Sequence, residues 1–331
     1  MISPAVSIIT PTRNRRALLC ETIESVQKQT VSQWEHVIVD DGSDDGTHDE
    51  VQARMRDDRR IRFIRRAGLN SGANVCRNIG IRECRAEHIL FLDSDDVIAP
   101  ECVERRFAAI ERNKDIDFVV FRTGFFFNTV GDRDWFPALN FLNDDLTSFL
   151  YLDLPWTTAA PLWRKSALMR IGLFDESLLS WQDLELHVRA ITAGLRYLRF
   201  CDVDNYMRSH SKDIRISDNL TKHPTHLEAA PKLFAKLEDL VRRGPGMNWV
   251  RQRALCSLYY FIAEQWLELG DAQAAYKTWR MVEHRFLGSP LLNSTGLTFL
   301  WLKKMGFPCE RLINKWKGIM RLRSNPELVR P

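Results

Sequence analysis

Short apolar runs alternate with helical stripes along the first part of the chain. Val6 to Thr10 is a run of apolar and β-branched residues and reads as a strand. Pro11-Thr12-Arg13-Asn14 forms a loop at its end. From Arg15 to Gln29, the residues Leu18, Leu19, Ile23 and Val26 recur at helical spacing. Trp34 to Val39 is a second strand, leading into Asp40-Asp41-Gly42-Ser43-Asp44-Asp45-Gly46-Thr47. Glycines and short acids there mark a turn, with Ser43 or Asp44 placed to open the next helix. Ile61 to Ile64 is a third strand, Gly68 to Gly72 a loop and Ala73 to Cys84 a helix. Ile89 to Leu92 is an unbroken apolar run, the pattern of a strand buried on both faces. Strands and helices alternating at this spacing predict a mostly parallel α/β sheet.

Further on, the spacing predicts a helix from Glu101 to Asn113 and a strand from Asp117 to Thr123. Phe125 to Asp145 is aromatic and loop-like, with Gly131-Asp132 in a turn. Lys165 to Ile171 reads as a helix ended by Gly172. Ser180 is placed as the cap of a helix whose buried stripe is Leu184, Val188 and Ile191. Tyr197 to Val203 is a strand, and Tyr206 to His210 a polar segment.

Beyond about Leu220 the period is helical only. Leu227, Ala230, Leu233, Phe234, Leu237 and Val241 make one stripe, and Val250, Ala254, Leu258, Ile262 and Trp266 another. Gly270 ends that second helix and Asp271 starts the next. The pair resembles one tetratricopeptide-type hairpin, and a single copy of that unit is not stable alone. The helices therefore read as an all-α appendage covering 219–331, attached to an α/β domain covering 1–218. The tail interleaves Lys303, Lys304, Arg311, Lys315, Lys317, Arg321 and Arg323 with Trp301, Phe307, Ile313, Trp316, Ile319 and Met320. Such a pattern suits a basic helix on an anionic membrane surface, or a solvated face closing a core.

Composition narrows the class. With 45% hydrophobic and 27% charged residues, the chain is globular, and a net charge of +4 gives no argument for a nucleic-acid partner. Seven cysteines are scattered with no Cys-x-x-Cys pair, which favours a reducing compartment over zinc or a disulfide framework. Met1 to Pro4 passes directly into strand-like sequence, so no signal peptide is expected, and no apolar segment is long enough to span a bilayer.

Acids stand where two strands end. Asp93, Ser94, Asp95 and Asp96 follow Leu92, and Asp40 and Asp41 follow Val39. Open α/β sheets bind ligands at the carboxyl ends of strands. Carboxylates crowded there repel one another unless a positive group sits among them, and a hard cation such as Mg²⁺ or Mn²⁺ fits. A plainer reading makes each cluster a solvated turn, with Asp95 or Asp96 capping the helix near Pro100. Asp183 falls in the first turn of its helix, where the dipole stabilises a carboxylate.

Taken in order, Val6 to Asn14, Val39 to Thr47, Gly72 to Asn78 and Phe91 to Asp96 resemble the inverting family 2 glycosyltransferases of GT-A fold. Phe174-Asp-Glu, Gln182-Asp183 and Tyr206 to His210 continue the resemblance. It implies a Rossmann-like, mostly parallel sheet flanked by helices, with a nucleotide-binding half at about 1–100 and an acceptor half at about 101–218. It implies a nucleotide-diphosphate sugar donor, most simply a UDP-sugar, with Mn²⁺ or Mg²⁺. By the same resemblance, Pro11, Thr12 and Arg13 lie beside the nucleoside, Arg13 standing where the family often has Tyr. Asp41 accepts from the base with Asp40 as its neighbour, and Arg77 lies near the nucleotide. Asp93 and Asp95 match the Asp-x-Asp motif; Asp93 and Ser94 go with the nucleotide, and Asp95, Asp96 and His210 with the metal. Asp183 matches the catalytic base, whereas Gln182 replaces the family's usual Glu. The Gln-x-x-Arg-Trp segment of processive synthases does not occur in the chain, which favours single additions to a glycan or lipid-linked saccharide. A cytoplasmic enzyme, with membrane contact through the basic tail and room for a homo-oligomer, completes the expectation. The competing expectations are a non-catalytic nucleotide-sugar-binding scaffold on the same fold, and a nucleotidyltransferase, for which the chain offers no Gly-rich basic triphosphate loop.

Overall fold

The computed structural model describes residues 3–66, 71–133, 144–209, 223–285 and 290–306. The chain divides into two compact units, Met1–Pro137 with Trp156–Ser177 and Ala193–His210, and Ala138–Pro155 with Leu178–Thr192 and Ser211–Pro331. The basic tail beyond residue 306 lies outside the described residues, as does His210.

The first unit is built on one sheet of eight strands in the order β3-β2-β1-β4-β7-β6-β8-β5. The strands are β1 (Val6–Thr12), β2 (Trp34–Asp40), β3 (Ile61–Arg65), β4 (His88–Phe91), β5 (Val97–Ile98), β6 (Phe118–Phe126), β7 (Pro161–Arg164) and β8 (Tyr197–Arg208). β3, β2, β1 and β4 run parallel, β7 is antiparallel to β4 and β6, and β6 runs parallel to β8. Every residue of β1 and β2 is buried, and the polar ones find partners inside: Ser7 donates to Glu35 at 2.6 Å, and Thr10 bonds His36 at 2.8 Å. Among the described residues, five helices belong to this unit: α1 (Arg16–Gln27), α2 (Thr47–Asp57), α3 (Ala73–Glu83), α4 (Cys102–Arg112) and α6 (Lys165–Ile171). Leu19 and Ile23 of α1 pack with Ile38, Val51 and Ile61, and Val26 with Val6, Ile8, Leu90 and Cys102. Gly80 lets α3 approach β1 closely: a Cβ there would sit 2.4 Å from Cγ2 of Ile9.

Several boundaries differ from the sequence expectation. β1 continues through Pro11 and Thr12, because Thr12 pairs with Asp40 while the ladder to β4 has already stopped at Ile9. The missing N–H of Pro11 therefore costs no bond. Ser43 and Asp44 do not open α2; Gly46 holds the cap position at φ 85°, and Asp45 accepts the Thr47 N–H at 3.1 Å. Asp95 and Asp96 do not cap the helix after Pro100, since β5 intervenes and α4 starts beyond Glu101. Tyr206 to Arg208, within the segment read only as polar, is strand, paired with Gly124 to Phe126.

A buried ion pair locks the middle of this unit. Arg106 of α4 and Asp204 of β8 are both fully buried; Arg106 Nε donates to Asp204 Oδ2 at 2.8 Å and Nη1 to the Ala159 carbonyl at 2.7 Å. Asp204 holds the Arg106 guanidinium charged despite burial.

The second unit is helical: α5 (Asp145–Leu150), α7 (Gln182–Thr192), α8 (Pro224–Arg243), α9 (Trp249–Glu268), α10 (Ala272–Arg285) and α11 (Pro290–Lys304). The stripe read from Leu227 to Val241 is buried throughout. Asp144 caps α5 by accepting the Thr147 N–H at 2.8 Å, and Asp271 caps α10 by accepting that of Ala274 at 2.8 Å. α7 opens at Trp181, whose carbonyl takes the Glu185 N–H at 3.1 Å, so Trp181 and not Ser180 fills the capping position.

Two stability effects follow. Asp204→Ala leaves the Arg106 charge buried without its partner, and the urea midpoint should fall by the equivalent of about 3–5 kcal/mol. His36 and His187 are buried, and desolvation pushes each down to about 3. Their folded values lie below the unfolded value near 6.5, so the unfolded chain binds protons first as pH falls. Stability is then complete above about pH 6.5 and should decline by about 1.4 kcal/mol per pH unit for each histidine on going down to about pH 5. Urea midpoints at pH 7 and pH 5 check this, and His36→Asn should flatten its share.

Candidate active site

β4 delivers the acid turn. The Leu92 N–H still bonds the Ile9 carbonyl at 3.0 Å, and the Asp96 N–H closes the turn on the Asp93 carbonyl at 3.1 Å. The Asp93 side chain is 40% exposed, while Ser94 and Asp96 are buried. Three arginines from distant segments face these acids. Arg77 Nη2 donates to Asp93 Oδ1 at 2.6 Å, and Arg15 Nη1 donates to Asp95 Oδ2 at 2.9 Å. The backbone N–H of Arg208 donates to Asp96 Oδ1 at 3.0 Å, and its Nε to the Asp95 carbonyl at 3.1 Å. The Arg208 guanidinium also pairs with Glu21 and lies 4.4 Å over the Phe126 ring.

Arg77 is 3% exposed, and its Nε and Nη1 find no hydrogen-bond partner among the described residues. Buried donors of this kind are rare and call for an explanation. The helix that carries Arg77 is pinned to the Phe174-Asp-Glu segment. Asn78 exchanges two hydrogen bonds with the Phe174 backbone, at 2.9 and 3.0 Å, and Asn74 Nδ2 donates to the Asp175 carbonyl at 2.9 Å. Two motifs far apart in sequence thus form one support. Cys76, beside Arg77, is a packed thiol that burial pushes up to about 12.

The β1 and β2 ends supply the neighbouring wall. Asp41 receives Arg66 Nε and the Gly72 N–H, the latter at 3.0 Å, with Arg13 Nη1 3.8 Å away. Gly72 adopts φ 116°, a conformation that favours glycine. Asp40 is fully buried and accepts the Ser43 N–H and hydroxyl, closing the turn. Thr12 is 4% exposed and its Oγ1 has no partner among the described residues. Pro11 lies in β1, and the Arg13 side chain is exposed.

Asp183 belongs to the second unit. It sits in the first turn of α7, its Oδ1 accepting the Leu184 N–H at 2.8 Å. Trp181, two residues earlier, takes φ 54°, unusual for a bulky side chain, and stacks on Phe234 of α8 at 5.7 Å. Glu185, two residues later, is fully buried between Arg189 and Lys236 of α8, each at 2.8 Å. The start of α7 is thereby held on both sides of Asp183.

The structure thus brings Arg77, Asp93, Asp95 and Asp96 together, and Thr12, Arg13 and Asp41 at the adjoining strand ends. Sequence reasoning passed over Arg15, Arg66 and Arg208. Arg15 directly follows the Pro11 to Asn14 loop, and that adjacency was its available signal. No spacing rule links Arg208 to Asp95, 113 residues away. Among the described residues no group of three or more His, Cys, Asp or Glu is arranged to hold a metal ion. Asp93 and Asp95 are nevertheless hard oxygen donors, and Mg²⁺ is commonly held by one or two carboxylates together with substrate phosphates.

The glycosyl transferase family 2 model matches residues 7–176, ending ahead of Gln182-Asp183. The chain is 40% identical over 103 residues to the putative teichuronic acid biosynthesis glycosyltransferase TuaG of Bacillus subtilis, covering 31% of this chain and 40% of that relative. Among solved structures, S. aureus TarS 1–349 in complex with UDP-GlcNAc aligns with a TM-score of 0.63 at 18% identity, over 84% of this chain and 79% of that one. The mannosyltransferase PcManGT of Pyrobaculum calidifontis, in complex with GDP-Man and Mn²⁺, aligns with a TM-score of 0.58 at 15% identity, over 97% and 85%. These likenesses establish the GT-A-type fold. Since the matched stretch carries the parallel strands and the acid turn and covers more than half of its length, the chain belongs to glycosyl transferase family 2.

Proposed function

We propose that this glycosyltransferase moves a sugar from a nucleotide-diphosphate donor, most simply a UDP-sugar, to an acceptor hydroxyl with inversion, one residue at a time. The observation that carries the donor site is Arg77, buried beside Asp93 with two guanidinium nitrogens unpartnered among the described residues. An anionic diphosphate satisfies such donors, and charge-assisted bonds are the strong ones. The unpartnered Thr12 hydroxyl supports a polar ligand at the same strand ends. Asp41 is suited to accept a base N–H, since an ionised carboxylate only accepts. In this reading Asp93 and Asp95, with Asp96 adjoining, hold Mg²⁺ or Mn²⁺. Such a cation offsets charge developing on the leaving diphosphate.

Asp183 is assigned the general base that takes the acceptor proton. Its dipole-stabilised place at the α7 start and the bracing by Trp181 and Glu185 support a fixed carboxylate. The acceptor class proposed is a cell-surface polysaccharide or lipid-linked saccharide, at the cytoplasmic membrane face. No described helix is long and apolar enough to cross a membrane, and Lys303 of α11 pairs with Glu264 and Glu268 of α9. Gln182, standing where the family usually has Glu, favours a second reading as a nucleotide-sugar-binding scaffold without turnover.

Sugar transfer and UDP or GDP release, measured over a panel of donors with and without Mn²⁺, separate the two readings. Turnover that requires Mn²⁺ supports the enzyme; binding without turnover across the panel overturns it. Asp183→Asn should lower kcat by about 10²–10⁴-fold while leaving nucleotide affinity intact. Arg77→Ala should weaken nucleotide-diphosphate binding by about tenfold or more in calorimetric titration.

A further inference from the structure

Both acids of the Asp-x-Asp turn are already engaged by arginines, in two different ways. Arg77 is 3% exposed and sits on a helix pinned by Asn74 and Asn78, so its charge has nowhere to go. Arg15 is different: it stands in the loop just before α1, and its side chain and that of Asp95 are each 21% exposed. Its Nη1 lies 2.9 Å from Asp95 Oδ2. A small divalent cation binds a carboxylate oxygen at about 2.0–2.1 Å and demands near-ideal octahedral geometry. With the guanidinium on Oδ2, the cation meets a like charge beside the Asp95 carboxylate and competes with it. Displaced, Arg15 becomes a planar cation with donors suited to phosphate oxygens, beside the acids that the metal-dependent reading assigns to the donor.

We propose that Arg15 is the internal counter-cation of Asp95 in the nucleotide-free enzyme. It gives up Asp95 to the metal and transfers to the donor's diphosphate. Resting on the metal-dependent reading above, this makes Arg15 a donor-binding residue and couples the two ligands. Metal binding is opposed by Arg15 until a diphosphate arrives to receive it. Linkage requires that the nucleotide tighten the metal by the same factor as the metal tightens the nucleotide.

The test is Mn²⁺ titration of the full chain, followed by the electron paramagnetic resonance of free Mn²⁺, without nucleotide and with saturating UDP or GDP, whichever binds. Arg15→Ala should tighten Mn²⁺ about two- to fivefold in the nucleotide-free protein, the range of a partly exposed ion pair. It should also weaken the nucleotide in the presence of Mn²⁺ by about tenfold, as expected for loss of a charged hydrogen bond. Arg15→Lys keeps the charge without the fork and should fall between. Unchanged or weaker Mn²⁺ binding by Arg15→Ala, while Asp95→Asn abolishes it, overturns the exchange and leaves the metal-dependent reading standing. Mn²⁺ binding by Asp95→Asn equal to that of the unsubstituted protein overturns both.

Discussion

Carboxylates placed at one strand end must be answered by positive charge, and the first unit is arranged around that requirement. Asp93, Asp95 and Asp96 leave β4 within one turn, where unanswered repulsion would pull the turn apart. The loop after β1 and helix α3 bring guanidinium groups to Asp95 and Asp93, and the last residue of β8 gives Asp96 its backbone N–H and the Asp95 carbonyl its guanidinium. Each pairing fixes one of those segments against β4. A single electrostatic demand thus sets the register of elements that no local pattern connects.

Support behind the acids is mechanical. Gly80 seats α3 on β1, and Asn74 and Asn78 clamp it to the segment at Phe174. The buried Arg106–Asp204 pair ties α4 to β8, whose end delivers Arg208 to the turn. A buried pair of this kind is a weak source of net stability because desolvation offsets its attraction, yet losing one partner is costly. Its value here is placement of β8. In the second unit, the same logic braces the start of α7. Trp181 is held in a left-handed conformation by stacking, and Glu185 is buried between two cations, with Asp183 between them in sequence.

The proposed donor site and the proposed base belong to different units of the chain. The proposed donor site rests on the buried Arg77 donors that have no partner among the described residues. The proposed sugar transfer rests on family membership, and the proposed donor site on the ties of Arg15 and Arg77 to the acid turn.

What could be read from the chain was whatever burial writes with a local period. Ile89 to Leu92 is hidden on both faces and spells an apolar run, the stripe from Leu227 to Val241 is buried, and that from Val250 to Trp266 is buried from Ala254 on. Asp271 as a cap and Gly172 as a helix end were legible because their chemistry acts within a few residues. Tertiary structure alone decided the strand identity of Tyr206 to Arg208, since it depends on pairing with Gly124 to Phe126. It alone moved the capping role from Ser180 to Trp181, and replaced the helix-capping expectation for Asp95 and Asp96 with ties to Arg15 and Arg208. Hydrophobic burial repeats along a segment and leaves a rhythm in the sequence. Contacts between residues 80 and 112 positions apart leave none, because each partner is chosen by the fold.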